Sequence, residues 1–516
     1  MPRHMQRPGA VPVAVTLAPP LPVQAVGGTL SIWRGAGLIA GVALLIVLHV
    51  VPAPEPITSV GMGRLGLLAF AIIWWMSAPF PLAVTTLAAL ALGVGSGVLS
   101  LDDAFAASTN WVMWFAVGAF GLSAALEVNG FNRRFALWFV NLAWLRGRPY
   151  ALLFMFLLSA GLMSTVMSNT VVTVVWLSLA TTVYTSLGLR PKDPFPEINT
   201  LGIAWLANIG GIVTPIATPG NAVTIGMIAA AGSTVGFASW TLIGTCAAVL
   251  LVGSSFLVIR YIAQPDVSVV ARREMIELLQ SEQANLGPTS PAERLSIAWF
   301  GVAILLWFVP DLIRMTFGRE AVPSLIGNLG LTVPALLVPV AMCLTPVRQP
   351  KRTRVLTWDE WSKGVDWGMA LFLGGVLALG TAVEAGESGV SAYLQTRLEP
   401  MIVGLPEYAF VFVLITAVIL VTNLMSNLVS TAIFVPLGIT LSASLRIGDP
   451  VAIGVLLGMS ASLAYALPSG TTTNAIVAGS GWLRIDLMLR FGVLLMVLHA
   501  LLMAAVVYPV AKLVLS

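Results

Sequence analysis

Apolar residues run through this chain in blocks of about fifteen or more with no polar face, close to what a helix needs to cross the hydrocarbon core of a bilayer. The first such blocks are Gly35–Val51, Leu65–Leu82, Ala83–Val98 and Trp111–Leu126. Asn129–Arg148 differs: Arg133, Arg134, Arg146 and Arg148 are mixed with Phe, Leu and Trp, the pattern of a helix lying in the interface. Tyr150–Leu187 has room for two short helices but carries the polar run Ser164-Thr-Val-Met-Ser-Asn-Thr170 at its middle. A re-entrant hairpin with residues 164–170 at its tip fits better than one span; the plainer alternative is two spans joined by a polar turn. Asn199–Ser233 is interrupted at Thr214-Pro-Ile-Ala-Thr-Pro-Gly-Asn221, where two prolines and a glycine stop a helix, so a discontinuous helix with an unwound centre is expected. Ser239–Tyr261 is the next span.

Gln264–Arg294 is the one substantial soluble stretch and reads as an exposed helix and linker. Beyond it lie spans at Leu295–Val309, Leu331–Leu344 and Asp366–Val383, then a mixed segment, Ser388–Leu398. A second hairpin is expected over Ala409–Leu441, with Thr422-Asn-Leu-Met-Ser-Asn-Leu428 as its tip. A second broken helix, Val451–Ser480, is interrupted at Pro468-Ser-Gly-Thr-Thr-Thr-Asn474, and Leu487–Tyr508 is the last span. The expected fold is an all-α polytopic membrane protein of about eleven transmembrane spans plus two re-entrant hairpins. Its layout is a tail (1–32), a first half (33–263, with hairpin 150–187), a cytoplasmic linker (264–294) and a second half (295–516, with hairpin 409–441).

Composition agrees. Of 516 residues, 58% are hydrophobic and 9% charged, against roughly 25% charged in soluble domains, and the mean hydropathy is +0.94. The net charge of +4 reflects basic loops; no basic stripe interleaved with aromatics points to nucleic acid. Cys246 and Cys343 both lie in apolar runs and read as core thiols. His4, His49 and His499 are scattered, so no metal-ligand cluster is proposed. Residues 1–30 are rich in Pro, Ala and Val, and Pro12, Pro19, Pro20 and Pro22 break any signal-peptide core, leaving a disordered cytoplasmic tail.

The two halves repeat. Phe115-Ala-Val-Gly118 and Glu127 align with Phe372-Leu-Gly-Gly375 and Glu384 at an offset of 257. Ser164, Ser168 and Asn169 align with Thr422, Ser426 and Asn427 at 258, and Thr218 and Asn221 with Thr471 and Asn474 at 253. With the N-terminus inside and eleven spans, twenty Lys and Arg fall inside and six outside, which sets the N-terminus cytoplasmic and the C-terminus outside. The segment after Glu127 is then inside and its equivalent after Glu384 outside, so the repeats are inverted. Inverted repeats with broken helices meeting at the midplane mark an alternating-access secondary transporter.

The polar runs suggest what is carried. Ser and Thr hydroxyls, the Asn carbonyl and freed backbone carbonyls are hard oxygen ligands suited to Na⁺. The same groups offer O–H, amide N–H₂ and backbone N–H at broken-helix ends, where the dipole is positive and an anion is favoured. No Lys or Arg lies within the spans near either motif to pair with a carboxylate, so the anion must be neutralised by cations that arrive with it. Asn129, Asn141, Asn208, Ser123 and Thr381 read as helix-packing groups, and Glu127 and Glu384 as helix-end groups. A cation/proton antiporter would want an acid in a broken helix, and neither motif has one. No Ser/His, Asp/Asp or His/Glu pair at membrane depth suggests an enzyme, and the 31-residue linker is too short for a signalling domain.

From about Trp74 to Ser480 the chain resembles the divalent anion:sodium symporters, which carry succinate, malate, citrate or sulfate. Trp74-Trp-Met-Ser-Ala-Pro-Phe-Pro-Leu-Ala-Val-Thr85 resembles the family's tryptophan-rich second span, with Ser77 for the usual Thr and Pro79 a departure. Phe372-Leu-Gly-Gly-Val-Leu-Ala-Leu379 resembles its ninth span. Each repeat of the family carries a Ser-Asn-Thr signature and a (Ser/Thr)-Pro-Pro-Asn-Ala loop. Here these read Ser168-Asn169-Thr170 with Thr218-Pro219-Gly220-Asn221-Ala222, and Ser426-Asn427-Leu428 with Thr471-Thr472-Thr473-Asn474-Ala475.

The resemblance implies a first sodium site at Ser164, Ser168, Asn169 and the Ala217 backbone, and a second at Thr422, Ser426, Asn427 and the Gly470 backbone. It implies a substrate between Asn169, Thr170, Thr218 and Pro219 on one side and Asn427, Thr471 and Thr472 on the other. It further implies a homodimer in the cell membrane, Na⁺ as co-transported ion, C4 dicarboxylates ahead of sulfate or tricarboxylates, and an elevator movement. Anion exchange without net Na⁺ flux is the other reading. Leu428 stands where the family has a threonine, while Thr472 and Thr473 replace the prolines of the second loop and return hydroxyls nearby.

Overall fold

A backbone surrounded by lipid must satisfy its own N–H and C=O groups, and a helix does so within one segment. The computed structural model obeys this. It describes residues 32–515 except 109, 143–146, 269–272, 319–321, 324–326, 328, 351, 385–387, 391, 394–395 and 397–403. The expected tail lies outside the described residues apart from Ile32, which opens the first helix, and so does much of Ser388–Leu398.

Among the described residues, eight helices are long and apolar enough to cross a membrane, or nine if the bent pair Trp358–Gly364 and Trp367–Val383, with its 57° kink, is one span. Six of the eleven expected spans are among the eight and the bent pair is a seventh. Two more are the shorter helices Leu82–Gly95 (14 residues) and Thr332–Leu344 (13 residues). The last two are the broken helices, each in two pieces, and the two remaining long helices are arms of the second hairpin.

Both hairpins form where expected. The first has arms Pro149–Ser164 and Asn169–Ser186, the second Glu407–Leu424 and Asn427–Leu445. The broken helices are Pro194–Gly210 with Pro219–Ala230, and Pro450–Ser460 with Thr472–Gly479. The unwound segments, 211–218 and 461–471, begin before the expected breaks at 214–221 and 468–474. Proline explains where the first break ends: Pro219 occupies the opening turn of a helix, where its missing N–H costs nothing.

Burial separates two kinds of helix. Ile32–Val50 buries only Gly37 and Gly41, while Ile39, Ile46, Val47 and Val50 are exposed, as suits a lipid-facing span. Every residue from Phe195 to Gly210 is buried, as is every residue from Ala452 to Ala466. The first pieces of both broken helices, and the backbone that unwinds from Ala461 to Ala466, are thus wrapped in protein, the condition under which non-helical backbone survives at membrane depth.

Two features were not read from the periodicity. A two-stranded antiparallel ribbon, Pro346–Gln349 with Arg352–Arg354, precedes the bent pair. The short helix Trp358–Gly364 opens on a capping box of Thr357 and Glu360, and Arg352 donates to both Glu360 oxygens at 2.9 and 2.8 Å. The linker is anchored as well as exposed. Its helix Arg273–Asn285 supplies Glu282 to Arg133, and Arg134 pairs with Glu293 at 2.6 Å and donates to the Gly287 carbonyl at 3.0 Å. These contacts hold it against Phe131–Val140.

The span after each break crosses unwound backbone at a glycine. A Cβ on Gly244 would lie 2.8 and 2.7 Å from the carbonyl oxygens of Ile212 and Val213. One on Gly492 would lie 2.6 Å from the Tyr465 oxygen and 2.4 Å from the Ala466 Cα. Gly253, on the same helix as Gly244, has nothing within 4 Å. Gly244→Ala and Gly492→Ala are therefore each expected to destabilise by about 1–3 kcal/mol through overpacking. Gly253→Ala should hold or slightly raise stability, since alanine is the better helix former. Thermal unfolding of the detergent-solubilised variants checks the contrast.

Candidate functional site: a cavity between two hairpin tips and two helix breaks

Both hairpin tips and both breaks meet at one cavity of about 560 Å³. Its wall includes Ser168, Asn169, Thr170, Ala217, Thr218, Pro219, Ser426, Asn427, Gly470, Thr471 and Thr472. Ser164 and Thr422 do not line it; both are fully buried behind the asparagines. Because the tips share a cavity with the centres of the broken helices, they sit at the same depth, which makes the hairpins re-entrant.

Four helices begin at this cavity, with N-caps Ser168, Thr218, Ser426 and Thr471. The first three make no side-chain cap hydrogen bond, and Thr471 accepts from the Asn474 N–H. Each such terminus carries roughly half a positive charge and free N–H groups. The Thr218 hydroxyl oxygen is buried without a protein partner. No Lys, Arg or His lines the cavity among the described residues.

The two corners behind the tips are built alike. Ser164 Oγ donates to Asn169 Oδ1 at 2.6 Å, and Thr422 Oγ1 lies 2.9 Å from the Asn427 amide, each pair five residues apart. One end of the Asn427 amide faces Thr422 Oγ1 at 2.9 Å and the Ala461 and Gly470 carbonyls at 3.1 Å each. With nitrogen there, the two amide hydrogens are shared among the three acceptors. With oxygen there, four oxygens converge, of which only the Thr422 hydroxyl carries a hydrogen.

A matched pair of asparagines holds the unwound segments. Asn221 Nδ2 donates to the carbonyls of Gly211 and Thr214, both at 2.8 Å. Asn474 Nδ2 donates to those of Ala464 and Leu467, at 3.1 and 3.0 Å. In each repeat the partners lie ten and seven residues back, so the repeat extends to hydrogen bonds. Thr214 also donates to the Thr165 carbonyl, tying the first break to its hairpin.

Sequence reasoning passed over several participants. Asn208, taken as a packing group, lines the cavity and bonds across to the second repeat. Asn423, quoted within the second tip, accepts from the Tyr465 and Ala466 N–H groups at 3.0 and 2.8 Å. Glu127, read as a helix-end group, stands on the opposite wall with Asp366, and Ser123 there donates to the Val166 carbonyl at 3.2 Å. The available signal was an Asn inside an otherwise apolar run beside a break.

A sequence model of the sodium:sulfate symporter transmembrane region matches residues 33–514. The chain belongs to the sodium:sulfate symporter family. The sodium-dependent dicarboxylate transporter SdcS of Staphylococcus saprophyticus is 28% identical, over 92% of this chain and 90% of that one. Its counterpart in Staphylococcus aureus is 26% identical, over 93% and 92%. Among solved structures, the YdaH transporter of Alcanivorax borkumensis shares the fold at a TM-score of 0.53 and 16% identity, covering 80% of this chain and 88% of that one. MtrF of Neisseria gonorrhoeae does so at 0.54 and 13%, covering 92% and 95%. This member of the symporter family is thus a multi-pass membrane transporter and not an enzyme, and its tips and breaks converge on one cavity.

Replacing a clamp removes two buried hydrogen bonds, at about 1 kcal/mol each. The Thr214 and Leu467 carbonyls keep backbone donors, Ala217 N–H at 3.3 Å and Gly470 N–H at 3.2 Å, and Ala464 keeps Asn208 at 3.0 Å, so of the four carbonyls Gly211 alone is left without a donor among the described residues. Asn221→Ala is therefore expected to lower the unfolding midpoint by several degrees and Asn474→Ala by less. Thermal melts compared side by side check this; an equal or larger fall in Asn474→Ala would overturn the difference.

Proposed function

We propose that this chain is a sodium-coupled symporter of small divalent anions, with C4 dicarboxylates such as succinate or malate as substrates. The observation that carries the reading is the cavity ringed by four helix N-termini and two Ser/Thr–Asn corners, with no basic side chain on its wall among the described residues. A dianion there is stabilised by N–H groups and hydroxyls, but half-charges at helix ends do not replace full counter-ions. Sodium ions at the corners supply them: one at Ser164, Ser168, Asn169 and the Ala217 carbonyl, another at Thr422, Ser426, Asn427 and the Gly470 carbonyl. Two cations balance a dianion. Any further cation makes the step carry net charge, worth roughly 2.3 kcal/mol per 100 mV.

Asn169, Thr170, Thr218 and Pro219 face the anion from one side, and Asn427, Thr471 and Thr472 from the other. Leu428 is buried at this wall and replaces one hydroxyl with an apolar surface, which suits a carbon-chained dicarboxylate better than sulfate. Dicarboxylate transport by the named relatives supports the same choice.

One wall of the cavity comes from tips and breaks, the other from the spans Trp111–Val128 and Trp367–Glu384. Sliding at that seam, elevator-like, carries the site across the membrane in a homodimer. Leu82, Glu127, Gly364 and Asp366 lie at the ends assigned to the cytoplasm by the arginine-rich loops, so the cavity faces inward with the N-terminus inside and the C-terminus outside.

Succinate uptake into proteoliposomes is expected to require a Na⁺ gradient; uptake unchanged by replacing Na⁺ with K⁺ would overturn coupling, and dependence on internal anion instead would indicate exchange. Asn169→Ala and Asn427→Ala should each abolish uptake while still inserting, checked by membrane fractionation. Leu428→Thr is expected to tighten succinate binding by about fivefold, one added hydrogen bond. A KM equal to wild type would place that side chain away from the anion.

A further inference from the structure

Asn208 is fully buried two residues before the end of Pro194–Gly210, in the first repeat. All of its side-chain partners are in the second. Its Nδ2 donates to the Ala464 carbonyl at 3.0 Å, and its Oδ1 accepts from Thr473 Oγ1 at 2.8 Å. Thr471 Oγ1 and Asn474 Oδ1 lie 3.5 Å from the same nitrogen. We propose that Asn208 is a positioning residue that braces the second cation corner from the first repeat, setting how tightly sodium is held there. Its role rests on the sodium-coupled reading above.

The hydrogen count assigns the donors. A carbonyl only accepts, so the Asn208 nitrogen faces Ala464 and its oxygen faces Thr473. The one hydroxyl hydrogen of Thr473 is thereby committed to Asn208. The contact between Thr471 Oγ1 and Thr473 Oγ1, at 2.5 Å, is then a donation from Thr471. Thr471 Oγ1 in turn accepts from the Asn474 N–H at 3.1 Å. Neither hydroxyl retains a hydrogen for a ligand. Thr472, exposed at the cavity wall, is left as the loop's hydroxyl donor to the anion.

The brace reaches the cation corner through packing. A Cβ on Gly470 would meet the Ala464 Cβ at 2.9 Å and the Thr422 oxygen at 3.2 Å, so Gly470 rests directly on Ala464. The Gly470 carbonyl is one of the oxygens around the Asn427 amide. Holding Ala464 therefore holds Gly470 O. Asn474 also donates to the Ala464 carbonyl, so losing Asn208 loosens this corner without leaving that carbonyl unpaired. The equivalent of Asn208 in the second repeat, 253 residues on, is Ala461, whose methyl group cannot return the hydrogen bond. The brace runs one way, and its loss should weaken one cation corner and spare the other.

The test compares wild type with Asn208→Ala, Thr473→Val and Thr473→Ser. Sodium binding is read as a thermal-shift titration of NaCl balanced by KCl, and as the sodium dependence of succinate uptake. Asn208→Ala and Thr473→Val are expected to raise the half-saturating Na⁺ about five- to tenfold, the loss of one buried hydrogen bond. Both should lower the Hill coefficient while leaving the succinate KM at saturating Na⁺ near wild type. The double variant should be little worse than either single one, as coupled groups are. Thr473→Ser, which keeps the hydroxyl, should stay near wild type. Unchanged half-saturating Na⁺ in both single variants beside a sodium-responsive wild type, or a loss of Vmax alone, would overturn the inference. A wild type indifferent to Na⁺ in both assays would instead overturn the sodium-coupled reading, and this one with it.

Discussion

Unwound backbone at membrane depth is the constraint from which the rest of this molecule follows. Each break removes helix hydrogen bonds where no water replaces them cheaply. Asn221 and Asn474 answer with two donations each to carbonyls ten and seven residues back. The neighbouring spans answer by closing over the breaks at Gly244 and Gly492. Burial of all but the first residue of Pro194–Gly210 is the other side of the same requirement. A segment that displays bare backbone to a ligand must be shielded from lipid everywhere else.

That shielding creates a site with polarity but no fixed countercharge. In the proposed reading, helix N-termini, hydroxyls and amide groups orient an anion, and the oxygens at the corners behind the tips hold small hard cations. The carboxylates within reach, Glu127 and Asp366, stand on the opposite wall. Cation and anion then stabilise each other in a low-dielectric cavity, where neither is comfortable alone. Coupling in this reading is a consequence of leaving out the lysine or arginine that would have bound the anion by itself.

The repeats are alike in their clamps and unlike in their braces. Asn423 supports the second break through two N–H groups, whereas the first break is tied by Thr214 to the Thr165 carbonyl. Asn208 crosses from one repeat to the other and Ala461 does not reciprocate. Thr170 and Leu428 face the same cavity with different chemistry. Duplication accounts for the common frame; the departures are where the two halves acquire separate tasks.

By itself the sequence determined the class of fold, the hairpins and breaks, and the identity of the tip residues. Apolar run length, proline and glycine, and two offset copies of one polar motif are local signals, and a bilayer leaves few other ways to satisfy a backbone. The first break ended before Asn221 because proline at a helix's first turn costs nothing. Only tertiary structure decided that the two tips and two breaks share one cavity, that Glu127 and Asp366 form its far wall, and that Asn208 belongs to the second repeat's network. Those facts depend on which residues meet after some 250 intervening positions. An asparagine in an apolar helix looks the same in sequence whether it packs a neighbour or braces a binding site.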